Sequence, residues 1–148
     1  MRSMTAEGLD LIKYYEGFSS APYKCPAGYW TVAYGAIWGV YGTRVDADHP
    51  NVSKEQGNRL LRRDVGKSER AVLRLIKVPL SDGQFDSLCS FVFNLGSGAL
   101  QSSTLRRRLN RGAYEEAANE FPRWVFAGGR KLKGLIKRRE DERMMFLS

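Results

Sequence analysis

Residues 16–35, EGFSSAPYKCPAGYWTVAYG, contain the signals that decide both the fold and the chemistry of this chain. The stretch opens with Glu16 at the end of an apolar-periodic segment, and its prolines and glycine then predict tight turns. It closes on an aromatic and β-branched run around Thr31, which is typical of a β-strand. Because tight turns bring their flanking residues together, we expect the Glu16 carboxylate, the Cys25 thiol and the Thr31 hydroxyl to lie close together. That combination of groups indicates chemistry more than packing.

The composition is that of one ordinary globular domain. The 148 residues are 43% hydrophobic and 27% charged, so the chain can bury a core without disulfides or metals. No apolar run reaches the ~20 residues of a membrane span. Glu7, Asp10 and Lys13 interrupt the N-terminal region where a signal peptide would need an apolar run. We therefore expect synthesis in the cytoplasm, with release by another factor if the protein acts elsewhere.

The sequence has no motif for a metal ion or a nucleotide phosphate. HExxH, GxxxxGK followed by Ser or Thr, and clusters of His with Cys are all absent, so we expect no metal site and no cofactor. The one histidine, His49, lies in a turn-like stretch where solvation is expected. The two cysteines, Cys25 and Cys89, lack CxxC spacing, which predicts free thiols in a reducing compartment.

The net charge of +8 is concentrated in the C-terminal third. Residues 104–148 contain 12 basic and 6 acidic side chains, whereas residues 1–103 contain 12 and 10. A basic face attracts polyanions such as nucleic acid, anionic lipid or acidic cell-wall polymer. An ordinary solvated helical surface explains the same charge equally well.

Helix signals flank the turn-rich stretch. Thr5 can cap a helix that ends near residues 16–17, and the negative end of the helix dipole there disfavours an ionised carboxylate. We therefore expect Glu16 to hold a proton that it can donate. Residues 18–45 are typical of a small antiparallel sheet, which is too small to be stable without helices against it. A capping box at residues 53–56 predicts a long helix that runs to about Lys77.

The second half of the chain is predicted to be helical. A capping box at residues 81–84 starts a helix that Gly96 ends, and Cys89 lies on its apolar stripe as a small buried hydrophobe. Shorter helices are expected near residues 103–112 and 113–120, before a turn at Gly128-Gly129. A last basic amphipathic helix can lie on membranes but more commonly docks on its own domain. Its apolar residues are Leu132, Leu135, Ile136 and Met144.

The spacing of Glu16, Cys25 and Thr31 resembles the phage-type lysozymes (endolysins), the glycoside hydrolase family that includes the bacteriophage T4 and P22 lysozymes. Residues 31–35, TVAYG, resemble that family's TxGxG-like strand. Further motifs in the same order extend the resemblance over most of the chain. These are QFDSLCSFVFNLG at residues 84–96, Ser103-Thr104-Leu105 followed by Leu109-Asn110, and the Arg123-Trp124 to Glu142 series near the C-terminus.

This resemblance implies an α+β, lysozyme-like fold of one domain. It consists of a small β-hairpin lobe at about residues 17–52 and a larger helical lobe at about 80–148. A long helix at about residues 54–77 joins the lobes, the N-terminal helix 5–16 packs on the helical lobe, and the active cleft lies between the lobes. The small sheet, long helix and helical remainder predicted from residue patterns agree with it.

The resemblance also implies the substrate and the catalytic residues. The substrate is bacterial peptidoglycan, cut between N-acetylmuramic acid and N-acetylglucosamine for host-cell lysis. Glu16 is expected to be the general acid, and Thr31 is expected to hold the attacking water. Cys25 stands where many members have Asp; it either acts as a thiolate on the sugar or on water, or only shapes the site as a thiol. The expected substrate-binding residues are Tyr34, Phe93, Asn94 and Thr104, although Phe93 fits a core position equally well.

The resemblance further implies where and with what the protein acts. We expect a monomer, made in the host bacterial cytoplasm and acting on the cell wall in the periplasm, with a separate holin for release. No nucleic-acid partner and no stable membrane insertion are expected, beyond transient contact through the basic C-terminal helix. Two alternatives stay open: a lytic transglycosylase acting on the same bond, and a non-enzymatic polyanion-binding module suggested by charge alone.

Overall fold

The computed structural model describes the whole chain as two compact units. Residues 10–67 form the first, here named the hairpin unit, and residues 1–9 with 68–148 form the second, the helical unit. Two helices pass from one unit into the other along the chain, α1 (Ala6–Glu16) and α2 (Lys54–Leu75). None of the helices combines the length and the hydrophobicity that a membrane span requires.

The hairpin unit is built on one antiparallel β-hairpin. Strands β1 (Ser19–Lys24) and β2 (Trp30–Ala33) pair with Tyr23 opposite Thr31, and only single bridges continue the pairing beyond β2. A two-stranded sheet is marginally stable alone, so it needs other apolar groups against it. Side chains of β2, of the following loop and of α2 form that common core. It consists of Val32, Ala33, Ala36, Val45, Val52 and Leu60, with Phe18, Trp30 and Val40 packed against it.

Side-chain caps fix the helix starts that the sequence predicts. Before α2, the Ser53 N–H donates to Gln56 Oε1 at 2.9 Å, and the Gln56 N–H donates to Ser53 Oγ at 3.0 Å. Before α3 (Asp82–Leu95), Ser81 and Gln84 form the same reciprocal pair. Each box satisfies two backbone donors that the first helical turn leaves without a partner. Both predicted capping boxes are confirmed.

Helix α2 ends at Leu75, two residues before the predicted end at Lys77. The side chain of Asn110 accounts for the difference: its Oδ1 accepts from the Lys77 N–H at 2.7 Å, and its Nδ2 donates to the Leu75 carbonyl at 2.9 Å. Because these backbone groups are bonded to a side chain, the helical ladder stops there. Asn110 lies 33 positions after Lys77 and 35 after Leu75, so no local pattern predicts this cap.

Short elements surround α3 in the helical unit. The Cys89 thiol on α3 is fully buried, as predicted, and burial raises its pKa. The other elements are α4 (Ser97–Ser102), α5 (Thr104–Asn110), α6 (Tyr114–Ala118), a 3-10 turn (Phe121–Arg123), β3 (Phe126–Ala127), β4 (Arg130–Lys131) and α7 (Lys133–Leu147). Helix α4 and the β3–β4 hairpin are not among the predicted elements. The large buried side chains include Phe85, Leu88, Phe91, Leu100, Leu105, Leu109, Phe121 and Phe146.

Helix α7 buries a different face from the one predicted. Three of the four apolar residues on its predicted stripe are exposed: Leu132, Ile136 and Met144. The buried face instead carries Arg138, Arg139, Glu142 and Phe146. Burial of these charges is possible because the Arg139 Nε lies 2.7 Å from Glu142 Oε1 and the Arg138 Nε lies 3.4 Å from Glu142 Oε2. The prediction of the buried face was wrong because hydrophobic periodicity does not detect paired charges.

Candidate active site

Glu16 is the last residue of α1 and is partly exposed. Gly17 ends the helix with a φ of 70°, and its N–H donates to the Lys13 carbonyl at 2.9 Å. The chain then turns directly into β1. A shallow groove of about 330 Å³ lies here, lined by Glu16, Gly17, Phe18, Ser19 and Tyr23. A ligand in this groove therefore meets the Glu16 side chain.

The turn after β2 brings backbone close to the Glu16 carboxylate. Val32 and Ala36 exchange two backbone hydrogen bonds of 2.9 and 2.8 Å around this turn. Inside it, Ala33 has a φ of 58°, a left-handed conformation that costs an L-residue about 1 kcal/mol. A Cβ atom at Gly35 would lie 3.2 Å from Glu16 Oε1. Glycine at position 35 therefore leaves the carboxylate room that any larger residue would reduce.

Cys25 begins the turn between β1 and β2. The turn is closed by the Cys25 N–H, which donates to the Tyr29 carbonyl at 2.9 Å. The backbone N–H of Tyr29, more than any other group, lowers the pKa of the Cys25 thiol. Burial opposes this effect, while the amides of Ala27 and Gly28 and the Thr31 hydroxyl add to it. The turn thus makes the thiolate easier to form than in an unperturbed cysteine, as backbone amide nests stabilise bound anions.

Thr31 lies on β2 and is almost fully buried. Its Oγ1 donates to the Tyr29 carbonyl at 2.9 Å, the same carbonyl that accepts from the Cys25 N–H. This shared acceptor holds the hydroxyl beside the Cys25 turn. When the hydroxyl turns its single proton from this carbonyl to the sulfur, it helps to lower the thiol pKa. The hairpin therefore brings Cys25 and Thr31 together, although the roles assigned to them stay predictions.

Tyr23 is a further group of this site that the sequence reasoning missed. It pairs with Thr31 across the hairpin and is 39% exposed. Burial, followed by the charges of Cys25 and Glu16, raises the pKa of its phenol. Tyr23 therefore lies near both groups. Counting outward from the turn at residues 25–29 would have found it, because this places Tyr23 directly opposite Thr31.

Tyr34, which is predicted to contact the sugar, is packed inside the hairpin unit. The side chain is only 7% exposed, and its ring centroid is 5.1 Å from that of Phe18. The Lys13 ammonium lies 5.6 Å from the same ring. Substrate binding by Tyr34 stays a prediction, but little of its ring surface faces solvent.

The other three predicted substrate residues belong to the helical unit. Phe93 and Asn94 are neighbours near the end of α3 and are both partly exposed, so Phe93 is not one of the fully buried core residues. Thr104 is the first residue of α5, and its Oγ1 accepts from the Arg107 guanidinium at 2.8 Å. All three side chains have some solvent-accessible surface, which binding requires, and their roles stay predictions.

The functional groups of the hairpin unit are thus a carboxylate, a thiol, a hydroxyl and a phenol. Such a set can donate a proton, carry a negative charge and orient a water molecule. The structure contains no group of three or more His, Cys, Asp or Glu side chains that could hold a metal ion.

Comparison with known proteins identifies relatives of the whole chain. The phage lysozyme family model matches residues 13–142. The endolysin of Bacillus phage B103 is 43% identical over 150 residues, which cover 99% of this chain but 54% of the relative. The chain therefore spans about half the length of that relative. The endolysin of Acyrthosiphon pisum secondary endosymbiont phage 1 is 40% identical, with 98% of both proteins covered.

The solved structures give the same family and the fold. The crystal structure of a P22 lysozyme mutant matches with a TM-score of 0.92 and 34% identity, covering 100% of both chains. This match confirms the predicted α+β, lysozyme-like fold, and the family model confirms the resemblance. The family model extends from Lys13, through the hairpin, to Glu142 on α7. The chain therefore belongs to the phage lysozyme family.

Proposed function

We propose that this protein degrades bacterial peptidoglycan by hydrolysing the β-1,4 bond between N-acetylmuramic acid and N-acetylglucosamine. One observation carries the proposal. A carboxylate at the end of α1 is followed by a hairpin that holds a thiol with a lowered pKa against a buried hydroxyl, within the segment that the family model matches. Glycoside hydrolysis needs a proton donor on one side of the bond and a nucleophile or water on the other.

Glu16 is the general acid in this mechanism. It lines the groove, and it protonates the leaving glycosidic oxygen as the C–O bond breaks. Gly35 keeps the space beside Oε1 open, so the carboxyl can approach the bond without a side-chain clash. Proton donation by a placed acid contributes roughly a 10²–10⁴-fold acceleration.

Cys25 and Thr31 act on the opposite side of the sugar. The lowered thiol pKa increases the thiolate fraction at neutral pH, which places negative charge where the transition state becomes oxocarbenium-like. The thiolate then either attacks the anomeric carbon or takes a proton from water. The Thr31 hydroxyl, bonded to the Tyr29 carbonyl at 2.9 Å, presents its oxygen to that water as an acceptor.

The charge of the chain suits an acidic polymer. Residues 104–148 carry 12 basic against 6 acidic side chains, and peptidoglycan stem peptides carry carboxylates. Opposite charges raise the rate of encounter, an effect that salt reduces. Host-cell lysis by a monomer, made in the cytoplasm and passed by a separate holin to the periplasm, fits this chemistry and belongs to the same proposal.

The replacement Glu16→Gln tests the proposal. It keeps the size of the side chain and removes the transferable proton, so we expect at least a 100-fold slower clearing of outer-membrane-permeabilised Gram-negative cells. Glu55→Gln is the matched control, because Glu55 is exposed and only pairs with Arg59 on the surface of α2. Full activity in Glu16→Gln would overturn the assignment.

A lytic transglycosylase is the second candidate. Glu16 is the only carboxylate that lines its groove, and a transglycosylase needs a single acid/base residue. That enzyme closes the muramic acid ring on itself, so its products end in an anhydro sugar. Mass spectrometry of muropeptides distinguishes the two: reducing muramic acid ends support hydrolysis, and anhydro ends support the transglycosylase.

A further inference from the structure

The amide of Asn94 is held by a buried guanidinium. Asn94 lies one residue before the end of α3, and its Oδ1 accepts from Arg139 Nη2 at 2.7 Å. The Arg139 side chain comes from α7 and is fully buried. Asn94 itself is partly exposed, so this contact ties a surface amide to the interior of the helical unit.

Several groups of the helical unit hold the Arg139 guanidinium in place. Its Nε lies 2.7 Å from Glu142 Oε1, and its Nη1 donates to the Trp124 carbonyl at 3.3 Å. The guanidinium also stacks over the Phe91 ring, 5.4 Å from the centroid. Glu142 is in turn held by the Ser90 hydroxyl, which donates to Oε2 at 2.6 Å. A group packed this way cannot reorient without breaking several buried contacts.

This arrangement decides which way the Asn94 amide points. A guanidinium has only hydrogen-bond donors, so the atom facing Arg139 must be the amide oxygen. The Nδ2 group then points away from Arg139, and it makes no hydrogen bond within the structure. Asn94 therefore presents its two N–H donors to a ligand that reaches it, while its oxygen is engaged by Arg139.

We propose that Arg139 is a positioning residue that turns the Asn94 Nδ2 outward, so that this amide recognises the acetamido carbonyl oxygen of a glycan sugar. The inference rests on the proposed function, because it takes peptidoglycan as the substrate. Acetamido carbonyls can only accept hydrogen bonds, whereas sugar hydroxyls can adapt to either partner. A fixed donor thus selects for N-acetylated sugars, and a rotatable amide would not.

The variant Asn94→Asp tests the orientation directly. The carboxylate keeps the shape of the side chain and still accepts from Arg139, but it offers the substrate no N–H donor. We expect an unchanged or higher melting temperature for Asn94→Asp. Binding of soluble uncrosslinked glycan strands is measured in the inactive Glu16→Gln background, where adding Asn94→Asp should weaken binding roughly tenfold. With Glu16 intact, KM should rise and kcat should change little. Asn58→Asp adds the same charge at an exposed position of α2 and controls for repulsion by an acidic polymer.

Two variants of Arg139 test its positioning role. Arg139→Lys retains a donor-only group, so we expect it to bind the strands better than Arg139→Met, which leaves the Asn94 amide able to rotate. Circular dichroism verifies that each variant is folded. If Arg139→Met is unfolded, the binding result for Asn94→Asp decides whether the inference holds. The side-chain NH₂ signal of Asn94 in a ¹⁵N spectrum should shift when the strands are added, which a merely structural amide would not do.

The results separate this inference from the proposed function. If Asn94→Asp binds the strands as tightly as Asn58→Asp while turnover is normal, the inference is wrong and the function stands. If the native protein does not cut sacculi and the Glu16→Gln variant does not bind the strands, the proposed function fails, and the inference fails with it.

Discussion

The hairpin unit and helix α7 each depend on a glutamate, and they place it in opposite environments. Glu16 is partly exposed and lines a shallow groove. Glu142 is fully buried between the guanidinium groups of Arg138 and Arg139. Exposure allows a carboxyl to exchange protons with a ligand, whereas burial with paired charges makes it a structural group. The same residue type therefore serves chemistry in one unit and geometry in the other.

The largest expected effect comes from removing the buried glutamate. Glu142→Ala leaves two buried guanidinium groups without their counter-charge, so we expect a loss of about 3–5 kcal/mol in the free energy of unfolding. Urea denaturation followed by circular dichroism measures it. Glu140→Ala is the control, because Glu140 lies two residues earlier on α7, is exposed and pairs with the partly exposed Arg143. This change should stay within about 0.5 kcal/mol of the native protein. Equal effects of the two changes would show that burial between two guanidinium groups does not make Glu142 a structural group.

A smaller effect is expected from the thiol of the hairpin. If the thiolate supports the positive transition state, Cys25→Ala should lower kcat by about 100-fold, while Cys25→Asp should retain most of the activity because it restores a negative group. Cys25→Ser keeps the size and little of the charge, and its rate should lie near that of Cys25→Ala. Initial rates on purified sacculi measure the series. Full activity of Cys25→Ala would mean that the thiol only shapes the turn.

The smallest effect is expected at Asp86, a buried carboxylate that relies on hydrogen bonds from the backbone and hydroxyl of Thr5. Burial raises the pKa of Asp86, and the Thr5 hydrogen bonds oppose this. Because the folded pKa exceeds the unfolded value of about 3.9, the stability from Asp86 is full below that pH and decreases as the pH rises through the folded pKa.

The change Asp86→Asn removes this titration. Between pH 3 and pH 7, the native protein should lose stability relative to the variant by up to about 1.4 kcal/mol for each unit of pKa difference. Denaturation curves at the two pH values measure the difference. Asp48→Asn, at an exposed site in the hairpin unit, is the control. A pH-independent difference for Asp86→Asn would show that burial has no net effect on this carboxyl.

Local signals allowed the sequence to predict the hairpin and the helix starts. The capping boxes depend on residues three apart, and the Glu16 to Thr31 segment turns at its own prolines and glycines, so short-range patterns suffice. The end of α2 and the Arg139–Asn94 contact depend on residues 33 to 45 positions apart. The buried face of α7 carries ion pairs between residues three and four apart, which hydrophobic periodicity does not detect. Residue periodicity contains no information on such pairings. Tyr23 was a different kind of omission, because its place opposite Thr31 follows from counting outward from the hairpin turn.

The Asn110 cap on α2 also bears on the order in which the molecule folds. Helix formation within α2 is local and fast, but its last turn is bonded to a side chain of α5. Closing so long a loop costs chain entropy before any contact forms, so this end is completed only when α5 docks. The Lys77 amide proton, whose acceptor is Asn110 Oδ1, therefore reports that docking step in hydrogen-exchange experiments.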